Sequence, residues 1–119
     1  MKTVRDFLQG KLRRAEVEDQ LSLELDGAPD PELGPHEATL ISALGRLAFF
    51  RDGLRASDGR AWRYAELERV ELSPPGEVAW VELRSLQGNL RLTGSPAGAL
   101  VIHATLRWIG NALLRRPLA

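Results

Sequence analysis

Residues 47–72 read LAFFRDGLRASDGRAWRYAELERVEL and hold two Asp-Gly pairs, Asp52-Gly53 and Asp58-Gly59, with apolar and aromatic residues around both. Asp and Gly accept the positive φ of tight hairpin turns. A chain that turns twice in so short a space must pair with itself at once. Three short strands, 47–50, 54–56 and 62–64, are therefore predicted to run antiparallel in series. Trp62 and Tyr64 share one face of the last, opposite Arg63. This local meander restricts the fold more than any other feature of the chain.

Upstream, Thr3 is placed to cap a helix, with Asp6 three residues on at the positive helix end. Val4, Leu8, Leu12 and Ala15 then recur on one helical face, with Phe7 and Lys11 at its edge. The period changes at Leu21, Leu23 and Leu25, which alternate with polar residues; a strand is favoured over a continued helix. Residues 27–37, GAPDPELGPHE, carry three prolines, two glycines and three acids and read as a loop. A further strand is expected over 39–44.

Downstream, residues 64–67 are predicted to interrupt the meander for a single turn, and Val70 and Leu72 to resume alternation. Ser73-Pro74-Pro75-Gly76 reads as a turn, since proline cannot donate to a ladder. Strands are predicted over 77–85 and 90–92, divided by a turn at 87–89. Ser95-Pro96 opens a helix whose stripe is Ala99, Ile102, Leu106, Ile109 and Leu113, closed by Arg115, Arg116 and Pro117.

From residue 38 to 114 the order is short antiparallel strands followed by one helix. With Phe49, Asp52-Gly53-Leu54, Trp62, Tyr64, Glu66-Leu67-Glu68-Arg69-Val70, Glu82-Leu83, Gly88 and the helix from Pro96, this region resembles small bacterial pleckstrin-homology-like (PH-like, GRAM-like) domains. The resemblance implies a bent sheet or partial barrel of PH-like type with the helix plugging one end. It also implies a function of binding proteins, peptides or phosphorylated lipids. Lipid-binding members place a Lys/Arg cluster around the first hairpin. This chain has Arg46, Arg51 and Arg55 there, with Asp52 among them and no lysine. The expected fold class is α+β: an N-terminal helix, that sheet, and a C-terminal capping helix. The whole chain, 1–119, is read as one domain, with 1–37 supplying helix, strand and acid-rich loop.

Of 119 residues, 44% are hydrophobic, enough for a core, and none is cysteine, so disulfides and thiolate chemistry are excluded. No apolar run is long enough to span a bilayer. The N-terminus lacks an uncharged apolar core, which points away from a secretory signal and toward a cytoplasmic location. Formal net charge is zero, but residues 1–38 carry five basic and nine acidic groups and residues 39–119 eleven and seven. Zero net charge argues against bulk attraction to nucleic acid or anionic lipid.

Catalytic signatures are sparse. His36 and His103 have no helical His partner at i+4, and no His/Cys cluster suggests a metal. No cofactor is expected. Glu66, Glu68 and Glu71 are scattered by strand alternation, and Gly94-Ser95-Pro96 reads as a helix cap rather than a phosphate loop. Arg46, Arg51, Arg55, Arg60 and Arg63 interleave with Phe50, Trp62 and Tyr64, the pattern of an anion or base-stacking surface.

The last helix is apolar more broadly than one sheet requires. Val101, Thr105, Trp108 and Ala112 form a second ridge, which needs the N-terminal helix or another subunit to cover it. Trp80, opposite in parity to Val81 and Leu83, is either a surface anchor or covered within the chain. The reading is a non-enzymatic module that binds protein, a second copy of itself included, through Trp80, Val101 and Trp108 with arginines on the rim. The alternative is an anionic-ligand module that uses Arg46, Arg51, Arg55 and Arg63 for phospholipid headgroups or nucleic acid.

Overall fold

The computed structural model describes residues 2–19, 21–42, 45–75, 78–94 and 96–118, with side chains of 14–19 left aside. The predicted places of Ala15, Leu44, Gly76 and Ser95 therefore lie outside what is described. The architecture is α+β: two helices and two antiparallel sheets, which do not join into a closed barrel.

Helix α1, Val4–Asp19, starts as its sequence dictates. Thr3 Oγ1 accepts from the Asp6 amide at 3.2 Å, and the Asp6 carboxylate accepts from the Thr3 amide at 3.1 Å. This reciprocal box satisfies two otherwise unpaired donors of the first turn. Arg5 then ties the helix to the sheet, donating to the carbonyls of Leu25 and Glu37 at 2.7 and 2.8 Å.

The first sheet is a five-stranded meander: β1 Ser22–Glu24, β2 His36–Ser42, β3 Gly45–Phe50, β4 Gly53–Ala56 and β5 Ala61–Arg63. The predicted hairpins are present, with Leu54 opposite both Phe49 and Trp62. The two glycines serve different ends. Gly59 sits at φ +91°, as a hairpin tip requires. Gly53 is not in the left-handed region. It is glycine because a Cβ there would collide with the Trp62 carbonyl and the Leu33 side chain.

The acid-rich segment is more ordered than a loop reading implies. Asp30 and Gly34 exchange backbone hydrogen bonds, and Asp30 Oδ1 accepts from the amides of Glu32 and Leu33. This tight turn drives Leu33 into the interior, where it is 1% exposed. Strand β2 already begins at His36, inside that segment, and β1 pairs with it, Leu23 opposite Leu40.

A 3₁₀ turn, Tyr64–Glu66, breaks the chain where predicted and leads into the second sheet. That sheet has β6 Leu67–Leu72, β7 Ala79–Ser85 and β8 Gly88–Gly94 in sequential order. Tyr64 is buried, and its hydroxyl donates to the Phe50 carbonyl at 2.7 Å. Burial, then the Glu37 carboxylate, push this phenol far above its ordinary pKa.

Helix α2, Pro96–Trp108, lays Ala99, Ile102 and Leu106 on the second sheet and receives α1 on its other side. It widens into a π turn, Ile109–Leu113, with the Leu114 amide donating to Ile109 at 3.0 Å. The chain leaves through Arg115 at φ 55°, an unusual conformation for a side chain with a Cβ. Arg115→Gly should relieve about 1 kcal/mol of strain and raise the melting temperature by about 4 °C, measured by calorimetry.

Candidate functional site

The sequence singled out arginines and tryptophans, and the structure sorts them by what already holds them. Arg46 pairs with Glu24. Arg55 pairs with Asp30 at 2.8 Å and also donates to the Gly59 carbonyl. Arg60 pairs with Asp58 at 2.8 Å and lies over the Trp62 ring. Arg51, among the described residues, pairs only with its neighbour Asp52, at 3.3 Å. Arg63 is exposed and, among the described residues, makes no ion pair. Most of the arginine-bearing hairpins are thus neutralised within the chain. Phe50, Trp62 and Tyr64 are buried, so they present no faces to nucleic-acid bases.

The outer face of the second sheet carries a ladder of alternating charge. Arg69 pairs with Glu71 at 2.8 Å, Arg84 lies 3.9 Å from Glu71 and 3.1 Å from Glu82, and Arg91 lies 3.0 Å from Glu82. Cross-strand register explains the pairing, since Glu82 stands opposite both Glu71 and Arg91. Arg91 folds over the Trp80 ring at 3.9 Å. Trp80 is therefore half-buried beneath a guanidinium rather than an open aromatic face.

Trp108 stacks on Phe7 of α1, ring centroids 5.1 Å apart. Val101 and Thr105, two turns and one turn earlier on the same ridge, are buried, and Thr105 satisfies its hydroxyl on the Val101 carbonyl at 2.7 Å. Of the two partners that the sequence leaves open for this ridge, the described chain supplies α1. Val101 is accordingly an interior residue and presents nothing to a partner while α1 is in place.

The histidines are not near each other in any described contact. His36 Nδ1 accepts from the Gly27 amide at 3.2 Å, so Nε2 carries the proton toward Thr39 Oγ1, 2.7 Å away. The ring packs edge-on to Phe50. It ties the acid-rich segment to β2. His103, half-buried on α2, is held below the ordinary histidine value by burial and then by Arg107. Glu66 lies in the 3₁₀ turn, Glu68 is exposed and Glu71 belongs to the charge ladder. Among the described residues no three His, Cys, Asp or Glu side chains gather as a metal site.

The ion pairs carry a pH dependence. Hydrogen bonds from Arg55 depress the Asp30 pKa, those from Arg84 and Arg91 depress Glu82, and those from the Arg60 amide and side chain depress Asp58. A carboxylate with a depressed folded pKa stabilises the fold above its unfolded value of about 4 and loses that contribution as pH falls through the folded value. Acid unfolding should therefore begin below about pH 4. Arg55→Gln should move its midpoint to higher pH, read from ellipticity during acid titration.

An apolar cleft with no role in these networks lies elsewhere. A cleft of about 220 Å³ opens between the β6–β7 connection and the start of α2, lined by Leu72, Ser73, Pro74, Pro75, Ala79, Pro96, Ala99 and Leu100. Leu100 is 54% exposed, and Val78, next to the lining Ala79, is 67% exposed. The sequence held a signal for this: Leu100 lies off the main stripe of α2, and Val78 has the outward parity of Trp80. Only the folded chain places Leu100 beside three prolines. Among the described residues no helix is long and apolar enough to cross a membrane. No family model, curated protein or solved structure matches this chain.

Proposed function

We propose that the chain is a non-enzymatic interaction module that takes an apolar segment of a protein partner into the cleft at Leu72, Pro74, Pro75 and Leu100. The observation that carries this reading is the exposure of Leu100 in a concave, almost wholly apolar lining, with Val78, the chain neighbour of the lining Ala79, exposed as well. Exposed aliphatic groups around a cleft have a reason to be there when a partner removes them from water. Proline lining adds a rigid wall, which lowers the ordering cost of binding. The strand-then-helix order from β2 to α2 supports the resemblance to PH-like binding domains, as an argument about scaffold rather than ligand.

Leu100→Glu and Val78→Glu sit on exposed positions and should leave stability within about 0.5 kcal/mol of the parent. Each should weaken capture of the partner from a native extract by about tenfold or more. A partner retained equally by both variants would overturn the cleft as the binding surface. Sedimentation over a range of concentrations identifies a second copy as the partner, and in that case the same variants should abolish the self-association.

A further inference from the structure

The carboxyl end of α2 forms a second pocket with a different chemistry. A cavity of about 360 Å³ is lined by the cationic Arg51 and Arg63, by Asp52, and by the apolar Ala65, Leu113 and Leu114. The arginines elsewhere in the two sheets and their turns, Arg46, Arg55, Arg60, Arg69, Arg84 and Arg91, are in ion pairs. Arg63 has none among the described residues, and Arg51 has only the adjacent Asp52 at 3.3 Å. A third guanidinium stands close, since Arg116 donates to the carbonyls of Ala65 and Leu67 at 3.0 and 2.6 Å. The nearby negative groups are Asp52 and Glu37, whose carboxylate acts on the Tyr64 phenol. Glu66 and Arg115, chain neighbours of Ala65 and Leu114, offset each other. Positive charge is left in excess at the lining.

The backbone is irregular at the same place. The π turn Ile109–Leu113 ends at the two leucines of the lining, and the Arg116 amide closes it onto Gly110 at 2.9 Å. Arg115 keeps φ 55° where glycine would be relaxed. Single π turns recur at functional sites, and strained residues cluster where binding uses them. These backbone features are independent of the arginine pattern and coincide with it.

We infer that this pocket binds a carboxylate of a protein partner presented beside an aliphatic side chain, as in a segment with Glu or Asp next to Leu. The planar guanidinium of Arg63 can grip a carboxylate through two parallel hydrogen bonds. Leu113, 37% exposed, and Leu114 receive the neighbouring aliphatic group. An anionic membrane is a poorer match, because such surfaces are held by clusters of about 4–8 basic residues and here the remaining strand arginines are self-neutralised. The pocket lies about 20 Å along α2 from Leu100, so this inference stands apart from the apolar cleft and survives its failure.

The test is a titration of the isotope-labelled intact chain at low salt, followed by nuclear magnetic resonance. The probes are a blocked Glu-Leu-Glu-Leu peptide, its Gln-Leu-Gln-Leu counterpart, inorganic phosphate, and vesicles of phosphatidylcholine with phosphatidylserine. The Glu-Leu peptide should shift the Arg51 and Arg63 side-chain signals and the Leu113 and Leu114 methyls saturably. Arg63→Gln, a change at an exposed and unpaired position, should weaken that binding about tenfold while leaving distant signals in place. Arg60→Gln should not weaken it. Equal shifts with the Gln-Leu peptide, no saturable shift with the Glu-Leu peptide, unchanged affinity in Arg63→Gln, or binding confined to phosphate or to vesicles would each overturn the assignment.

Discussion

Gly53→Ala should destabilise the protein by about 3 kcal/mol, against about 1 kcal/mol for Gly59→Ala, although both glycines follow an aspartate at a hairpin. A Cβ on Gly53 would collide with the Trp62 carbonyl, come within 2.6 Å of Leu33 Cδ2 and lie 3.1 Å from the Arg63 Cα. The first and last of these are main-chain atoms of β5, held in register with β4, so no side-chain rotation relieves them. Strand β4 cannot retreat either, because β3 pairs with its other edge. At Gly59 a Cβ meets nothing, and the cost is the left-handed backbone alone. Chemical denaturation measures both, with the loss read as a lower midpoint at constant slope. Against a total stability of about 5–15 kcal/mol, the Gly53 variant should lose a large fraction. A variant within error of the parent would mean that the turn is looser than the Leu33–Gly53–Trp62 contact implies. The turn also carries Arg51, so the same variant should disturb the Arg51–Arg63 pocket.

The contrast between the two glycines marks how far sequence reasoning reaches. Both turns, the break at Tyr64 and the inner stripe of α2 follow from local chemistry: turn residues, side-chain parity and a 3.6-residue period. Local chemistry does not say what approaches a turn from elsewhere, and Leu33, twenty residues before Gly53, is what does so. Leu33 itself reads as part of a polar loop, because three prolines and three acids surround it in residues 27–37. Parity likewise placed Trp80 on the outer face, but its cover is Arg91, one strand over and held by Glu82. The cation surface had the same difficulty. Arg46, Arg51, Arg55 and Arg63 look alike in the sequence. Their distinction comes from Glu24, Asp30 and Asp52, two of them more than twenty residues away from their partners. The apolar cleft needed the β6–β7 connection and α2 to meet before Pro74, Pro75 and Leu100 shared a lining.

Leu8→Ala addresses the remaining question of whether α1 is a fixed part of the fold. Leu8 is fully buried within the same cluster as Leu106 and Ile109. Truncating it removes apolar contact and leaves a cavity, which together should cost about 3 kcal/mol. Phe7→Ala, at a half-buried ring stacked on Trp108, should cost about 1 kcal/mol. If α1 is integral, helix ellipticity and tryptophan fluorescence of the Leu8 variant should fall together in one transition at lower denaturant. The tie from Arg5 to the Leu25 and Glu37 carbonyls makes this the expected result, since it joins α1 to β2 and to the residue that follows β1. Early loss of helical signal, with the sheet transition left at the parental midpoint, would mean instead that α1 detaches as a unit. The ridge of Val101, Thr105 and Trp108 would then be free for a second subunit. The two outcomes thus decide which of the two partners permitted by that ridge holds it in solution.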